Sequence, residues 1–105
     1  MTKDAPLVAE VYPNLADELV ELLQAAGEHR LATSIGELPL VGECTCRDDF
    51  CQSLRTAPHP EGEPYGPGHR CVPLRSTDGM LALDVVDDRI MYVEVLHRAP
   101  LRPTR

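Results

Sequence analysis

The stretch of residues 58–70, PHPEGEPYGPGHR, constrains the fold more than any other part of this sequence. It contains four prolines and three glycines. Proline removes a backbone donor and glycine loses much conformational entropy on ordering, so a helix or strand is strongly disfavoured here. We therefore predict a long loop over residues 58–70 that lacks regular structure. Long loops inside compact domains are often functional.

One amphipathic helix is predicted before this loop, over residues 15–26. Its apolar side chains recur at helical spacing and form a single stripe, which consists of Leu15, Leu19, Leu22, Leu23 and Ala26. Asn14 can cap the first turn through its side-chain oxygen, and Gly27 is a common helix stop. The helix therefore offers one apolar face to a sheet.

A first β-hairpin is predicted between this helix and the loop. Residues 38–46 form its first strand, the sequence Arg-Asp-Asp at residues 47–49 is turn-forming, and residues 50–56 form its second strand. In such a hairpin Cys51 lies opposite Cys46.

A second β-hairpin is predicted after the loop, with strands over residues 79–86 and 89–97 and a turn at Asp87-Asp88. In a regular register, one face carries Leu81, Leu83, Val85, Ile90 and Tyr92. The other face carries Met80, Ala82, Met91, Val93 and Val95. Both faces are largely apolar and one helix can cover only one of them. We therefore predict that a second copy of the chain covers the other face, as a homodimer.

The order of these elements predicts an α+β fold. An N-terminal helix packs on a roughly four-stranded antiparallel sheet, built from two β-hairpins joined by the long Pro/Gly loop. The 105 residues suffice for a single domain over residues 1–105. We expect flexible ends at about residues 1–10 and 98–105.

Charge and composition argue against several classes of protein. The net charge is −7, the ten Lys and Arg residues form no basic patch, and only four residues are aromatic. These features disfavour nucleic-acid binding. No apolar run has the length of a signal peptide or a membrane span, so we expect a cytoplasmic protein that does not interact with membranes. One Lys against nine Arg, with abundant Ala, Gly and Pro, is typical of a bacterial coding sequence.

The cysteines form the most distinctive chemical pattern, C-x-C-x4-C-x19-C, at Cys44, Cys46, Cys51 and Cys71. Residues two apart on a strand share a face, so the hairpin brings the first three sulfurs together. Cys71, or His69 two residues before it, could supply a fourth ligand. Zinc prefers four such donors in a tetrahedron. The pattern therefore predicts a zinc site made from these residues.

The same cysteines have two other interpretations. They can pack as small buried hydrophobic groups, or Cys46 and Cys51 can form a redox-active pair. The usual zinc pattern of two C-x2-C knuckles is absent from the sequence.

The loop also carries chemistry-bearing side chains, namely His59, Glu61, Glu63, Tyr65 and His69. Imidazoles with carboxylates can bind a metal or transfer protons, whereas the simpler interpretation is a solvated polar loop. We expect His59 to stay exposed and His69 to turn toward the cysteines.

The sequence is therefore most typical of a small cytoplasmic binding or regulatory module, stabilised by zinc and acting as a homodimer or through a protein partner. The alternative is a thiol redox protein or small enzyme that uses Cys44, Cys46 and Cys51 with His69. A third hypothesis is a partner that neutralises a larger, basic protein, because an acidic domain suits such a target.

Overall fold

The computed structural model describes residues 5–44, 49–60, 62–101 and 103. The helices are α1 (Val8–Val11), α2 (Pro13–Ala25) and α3 (His29–Ser34), followed by a 3₁₀ turn over Ile35–Glu37. The strands are β1 (Gly42–Glu43), β2 (Leu54–Arg55), β3 (His69–Leu74), β4 (Met80–Val86) and β5 (Arg89–Leu96). No helix among these residues has both the length and the apolar character needed to cross a bilayer.

Helix α2 is the amphipathic helix predicted from the sequence, although it begins two residues earlier. Pro13 occupies the first turn, where its missing N–H is not needed for an intrahelical bond. Asn14 therefore lies within the helix and does not cap it. Most of the apolar stripe is buried, with Leu19 and Leu23 fully inaccessible to solvent. Leu22 is half-buried, and Ala26 is exposed just beyond the end of the helix.

The strands form one antiparallel sheet in the order β1-β2-β5-β4-β3. The α+β prediction is confirmed, with five strands instead of about four. The extra strand, β3, contains Pro73, which a strand tolerates at the edge of a sheet. His69 and Arg70 belong to β3, so the prediction of a loop over residues 58–70 is wrong at its end.

The first hairpin is shorter than predicted. Among its described residues, Gly42 and Glu43 pair with Arg55 and Leu54 as regular strands, and Cys51 forms an isolated bridge with Leu96. The segment 45–48, which holds most of the predicted turn, lies outside the described residues.

The second hairpin has the predicted two-residue turn. Asp87 and Asp88 adopt φ values of 49° and 68°, as a type I′ turn requires. The register then shifts, because Val85 pairs with Ile90 whereas Asp84 pairs with Tyr92. Met91 is therefore the extra residue of a β-bulge.

This bulge makes the predicted face assignment wrong for half of β5. Side chains beyond a one-residue insertion change faces. Val93 and Val95 consequently lie in the core at 0% exposure, packed with the helices, whereas Tyr92 lies on the outer face. That outer face is less apolar than the sequence indicated.

The end of the described chain is tied to the domain. The Arg98 guanidinium donates to both carboxylate oxygens of Glu18 in α2, at 2.6 and 3.2 Å. Gln52 donates to the carbonyl of Ala99 and accepts from the backbone N–H of Leu101. The segment predicted to be a flexible end thus makes specific contacts as far as Leu101.

Candidate functional site

Two of the predicted zinc ligands lie near one another, beside Ser53. The backbone N–H of Cys44 donates to the carbonyl of Ser53 at 2.9 Å, and the Cys51 thiol donates to the Ser53 hydroxyl at 3.3 Å. Cys44 and Cys51 both line one small pocket of about 160 Å³. Cys46 lies outside the described residues, so the predicted three-cysteine cluster stays a prediction.

The sheet does not bring the other two predicted ligands, Cys71 and His69, to this place. Both lie in β3, three strand positions from β2, which corresponds to about 14 Å at the usual strand spacing. His69 instead donates from Nε2 to Asp84 Oδ1 at 2.8 Å. Among the described residues, no group of three or more His, Cys, Asp or Glu side chains could hold a metal ion.

Cys71 is also poorly suited to thiol chemistry. Its partial burial raises the pKa of the thiol, and the nearby carboxylates of Asp84 and Glu94 raise it further. The nucleophilic form of cysteine is the thiolate. Cys71 therefore stays protonated at neutral pH.

A cleft of about 410 Å³ opens between the outer face of the sheet and the loop of residues 56–68. The bulge shapes its floor, because Met91 and Tyr92 both line it. Consecutive residues of a regular strand point to opposite faces, so an unbulged β5 could present only one of them. Bulges commonly re-aim side chains next to active sites.

The roof of the cleft is made by the stacked rings of His59 and Tyr65, and His69 packs against the far side of Tyr65, outside the cleft lining. Tyr65 packs on His59 with ring centroids 4.4 Å apart, and on His69 at 4.8 Å. His59 is half-buried, so the prediction that it is exposed is wrong. Its Nε2 donates to the carbonyl of Glu63 at 2.9 Å.

Arg55 joins the floor of the cleft to its roof. It lines the cleft and donates from its guanidinium to the carbonyl of His59 at 2.8 Å. The rest of the lining includes Cys44, Ala57 and Pro60.

Both phenols of the cleft are protonated at neutral pH. Burial raises the pKa of Tyr92, and its hydrogen bond with Cys44 raises it further. Burial also raises the pKa of Tyr65, with the charge of Asp84 adding to the effect and that of Arg55 opposing it. The two hydroxyls can therefore act as hydrogen-bond donors.

Sequence reasoning identified the roof of this cleft and missed its floor. His59, Glu63 and Tyr65 stood out in a loop rich in proline and glycine. Tyr92 did not, because a bulge leaves no pattern in a strand that is apolar on both faces. Arg55 did not, because it lies in β2, whose position beside the loop is known only from the fold.

No protein-family model matches the chain, and comparison with curated proteins and with solved structures gives no significant match.

Proposed function

We propose that this protein is a small binding module that takes a small organic molecule into the cleft between the β5 bulge and the 56–68 loop. The observation that carries the proposal is the bulge, which presents Met91 and Tyr92 side by side under the Tyr65 stack. The cleft volume of about 410 Å³ is within the range of small-molecule sites, which combine apolar walls with a few polar groups.

Several features favour binding over catalysis. The one His–Asp hydrogen bond in the described chain, between His69 and Asp84, lies behind Tyr65, and His69 is not part of the cleft lining. Cys71, the thiol nearest to that pair in the sheet, is held protonated. Neither the His69–Asp84 pair nor the Cys71 thiol therefore supplies an activated nucleophile to the cleft.

The test is a titration of ¹⁵N-labelled protein with benzoate, benzamide and benzylamine, followed through backbone amide resonances. We expect at least one probe to shift the amides of Gly62, Tyr65, Met91 and Tyr92. Met91→Ala should weaken this binding, because it removes one wall of the cleft.

Met80→Ala is the matched control. Met80 lies on a neighbouring strand, is 49% exposed and does not line the cleft. Failure of every probe to shift the cleft amides, or equal weakening by both substitutions, would contradict the proposal.

A second proposal is that zinc stabilises the protein through Cys44, Cys46 and Cys51. Its support is the pocket beside Ser53 that both Cys44 and Cys51 line. Elemental analysis of the purified protein should find one zinc per chain. Cys51→Ser should lose the metal, whereas Cys71→Ser, at the other edge of the sheet, should keep it. Metal-free protein with four titratable thiols would contradict this second proposal.

A further inference from the structure

We infer that the cleft selects a carboxylate carried on a flat apolar body, with the carboxylate paired to Arg55. This inference rests on the proposed function and names its ligand class.

Arg55 differs from the other half-buried arginine of the described chain. Arg98 pairs with Glu18, whereas no described carboxylate lies within 4.0 Å of the Arg55 guanidinium. Its single described hydrogen bond goes to a neutral carbonyl, that of His59. A partly buried cation without a counter-charge bears a desolvation cost, which an ion pair with a bound anion would offset.

The charges around the cleft favour a monoanion. Glu63 lines the cleft but is exposed, so water screens it and it does not compete strongly for Arg55. Asp84 is close enough to influence Tyr65, and it adds negative potential on that side. The two negative charges of a phosphate monoester would be repelled by this potential about twice as strongly as the single charge of a carboxylate.

The lining of the cleft is the reason for proposing a ligand with a flat apolar body. Met91, Ala57 and Pro60 supply apolar surface, and the ring of Tyr92 supplies an aromatic one. An aromatic ring can pack between such surfaces. The protonated phenol of Tyr65 can then donate a hydrogen bond to the second carboxylate oxygen.

The experiment compares three probes of nearly the same shape on the unmodified protein: benzoate, neutral benzamide and dianionic phenyl phosphate. Dissociation constants come from the shifts of the Met91 and Tyr92 amides. We expect benzoate to bind at least about 10-fold more tightly than benzamide, as suits one charge-assisted contact. Benzoate should also bind more tightly than phenyl phosphate.

Two variants attribute this preference to Arg55. Arg55→Gln should bring benzoate and benzamide to within about 3-fold of each other, because it removes the charge-assisted contact. Arg75→Gln is the matched control, because Arg75 is exposed and has no ion pair with a described residue. That control should keep the preference.

Each outcome bears on a different claim. Equal binding of benzoate and benzamide in the cleft, or tighter binding of phenyl phosphate, would overturn the carboxylate inference and leave the binding cleft in place. Absence of any cleft shift with all three probes, and with benzylamine, would overturn both. The comparison of probes on the unmodified protein decides the question even where Arg55→Gln disturbs the loop.

Discussion

The Thr56 hydroxyl donates to the carbonyl oxygen of Ile90 at 2.8 Å, directly beside the β5 bulge. The backbone N–H of the same residue donates to the carbonyl of Met91 at 3.1 Å. Thr56 is 1% exposed, so both bonds are shielded from water. One buried residue at the start of the 56–68 loop therefore fixes the two carbonyls that define the bulge, and with them the floor of the cleft.

Thr56→Val tests the role of this hydroxyl. Valine has nearly the same shape but leaves the Ile90 carbonyl without its donor, so the free energy of unfolding should fall by about 1–3 kcal/mol. Benzoate binding should weaken as well, because the bulge loses a restraint. Chemical denaturation and the amide titration measure the two effects. Thr77→Val, at an exposed turn, should change neither. If the Thr56→Val protein is destabilised yet binds benzoate as tightly as the parent protein, the hydrogen bond that restrains the bulge is not needed for binding.

Glu18→Gln should reduce stability in a pH-dependent way. The Arg98 guanidinium holds the pKa of the Glu18 carboxyl below its ordinary value of 4.5. Because the folded pKa is the lower one, the stabilisation is complete above pH 4.5 and is lost as the pH falls through the folded value. We expect a loss of about 1–2 kcal/mol at neutral pH that shrinks in acid.

Thermal denaturation across a pH series measures this difference. Glu21→Gln is the control, because Glu21 is exposed on the same helix and makes no ion pair with a described residue. A constant difference between Glu18→Gln and the parent protein at every pH would contradict the role assigned to the ion pair.

Gly79→Ala should be strongly destabilising. Gly79 has a φ of +72°, and a Cβ there would meet the carbonyl oxygens of Leu96 and His97 at 2.5 Å. The strained backbone and the clash together should cost about 2–4 kcal/mol. Gly36→Ala is the comparison, because no atom lies within 4 Å of the added carbon there and no positive φ is involved. Similar unfolding midpoints for the two variants would refute the prediction.

The homodimer stays a prediction, but the exposed apolar surface that could form its interface differs from the one predicted from the sequence. Val93 and Val95 are in the core, so the large apolar residues left exposed in the described chain are Met80 at 49%, Phe50 at 44% and Val41 at 41%. We expect a dimer in sedimentation velocity, which Met80→Glu should dissociate. Gln24→Glu adds the same charge on the exposed face of α2 and should not. A monomeric parent protein at the concentrations used for NMR would contradict the prediction.

The sequence predicted the features that depend on local chemistry. Helix α2 follows from its leucine spacing, the Asp87-Asp88 turn from its length and composition, and most of the 56–68 loop from its prolines and glycines. The α+β class follows from their order.

The features that were missed depend on contacts between distant residues. The bulge is held by Thr56, which lies 34 residues from Ile90, so nothing near Met91 reveals it. Strand β3 was missed because Pro73 excludes a central strand, while its position at the sheet edge is known only from the fold. Arg55 became a candidate only from the fold, which places it in the cleft with no described carboxylate within 4.0 Å.

The most direct test of the binding cleft is a crystal structure of the protein soaked in benzoate. We expect density for the ring between Met91 and the 56–68 loop, with the carboxylate within hydrogen-bond distance of the Arg55 guanidinium. A crystal with the cleft open to solvent, benzoate present in the soak and no density beside Arg55 would contradict it.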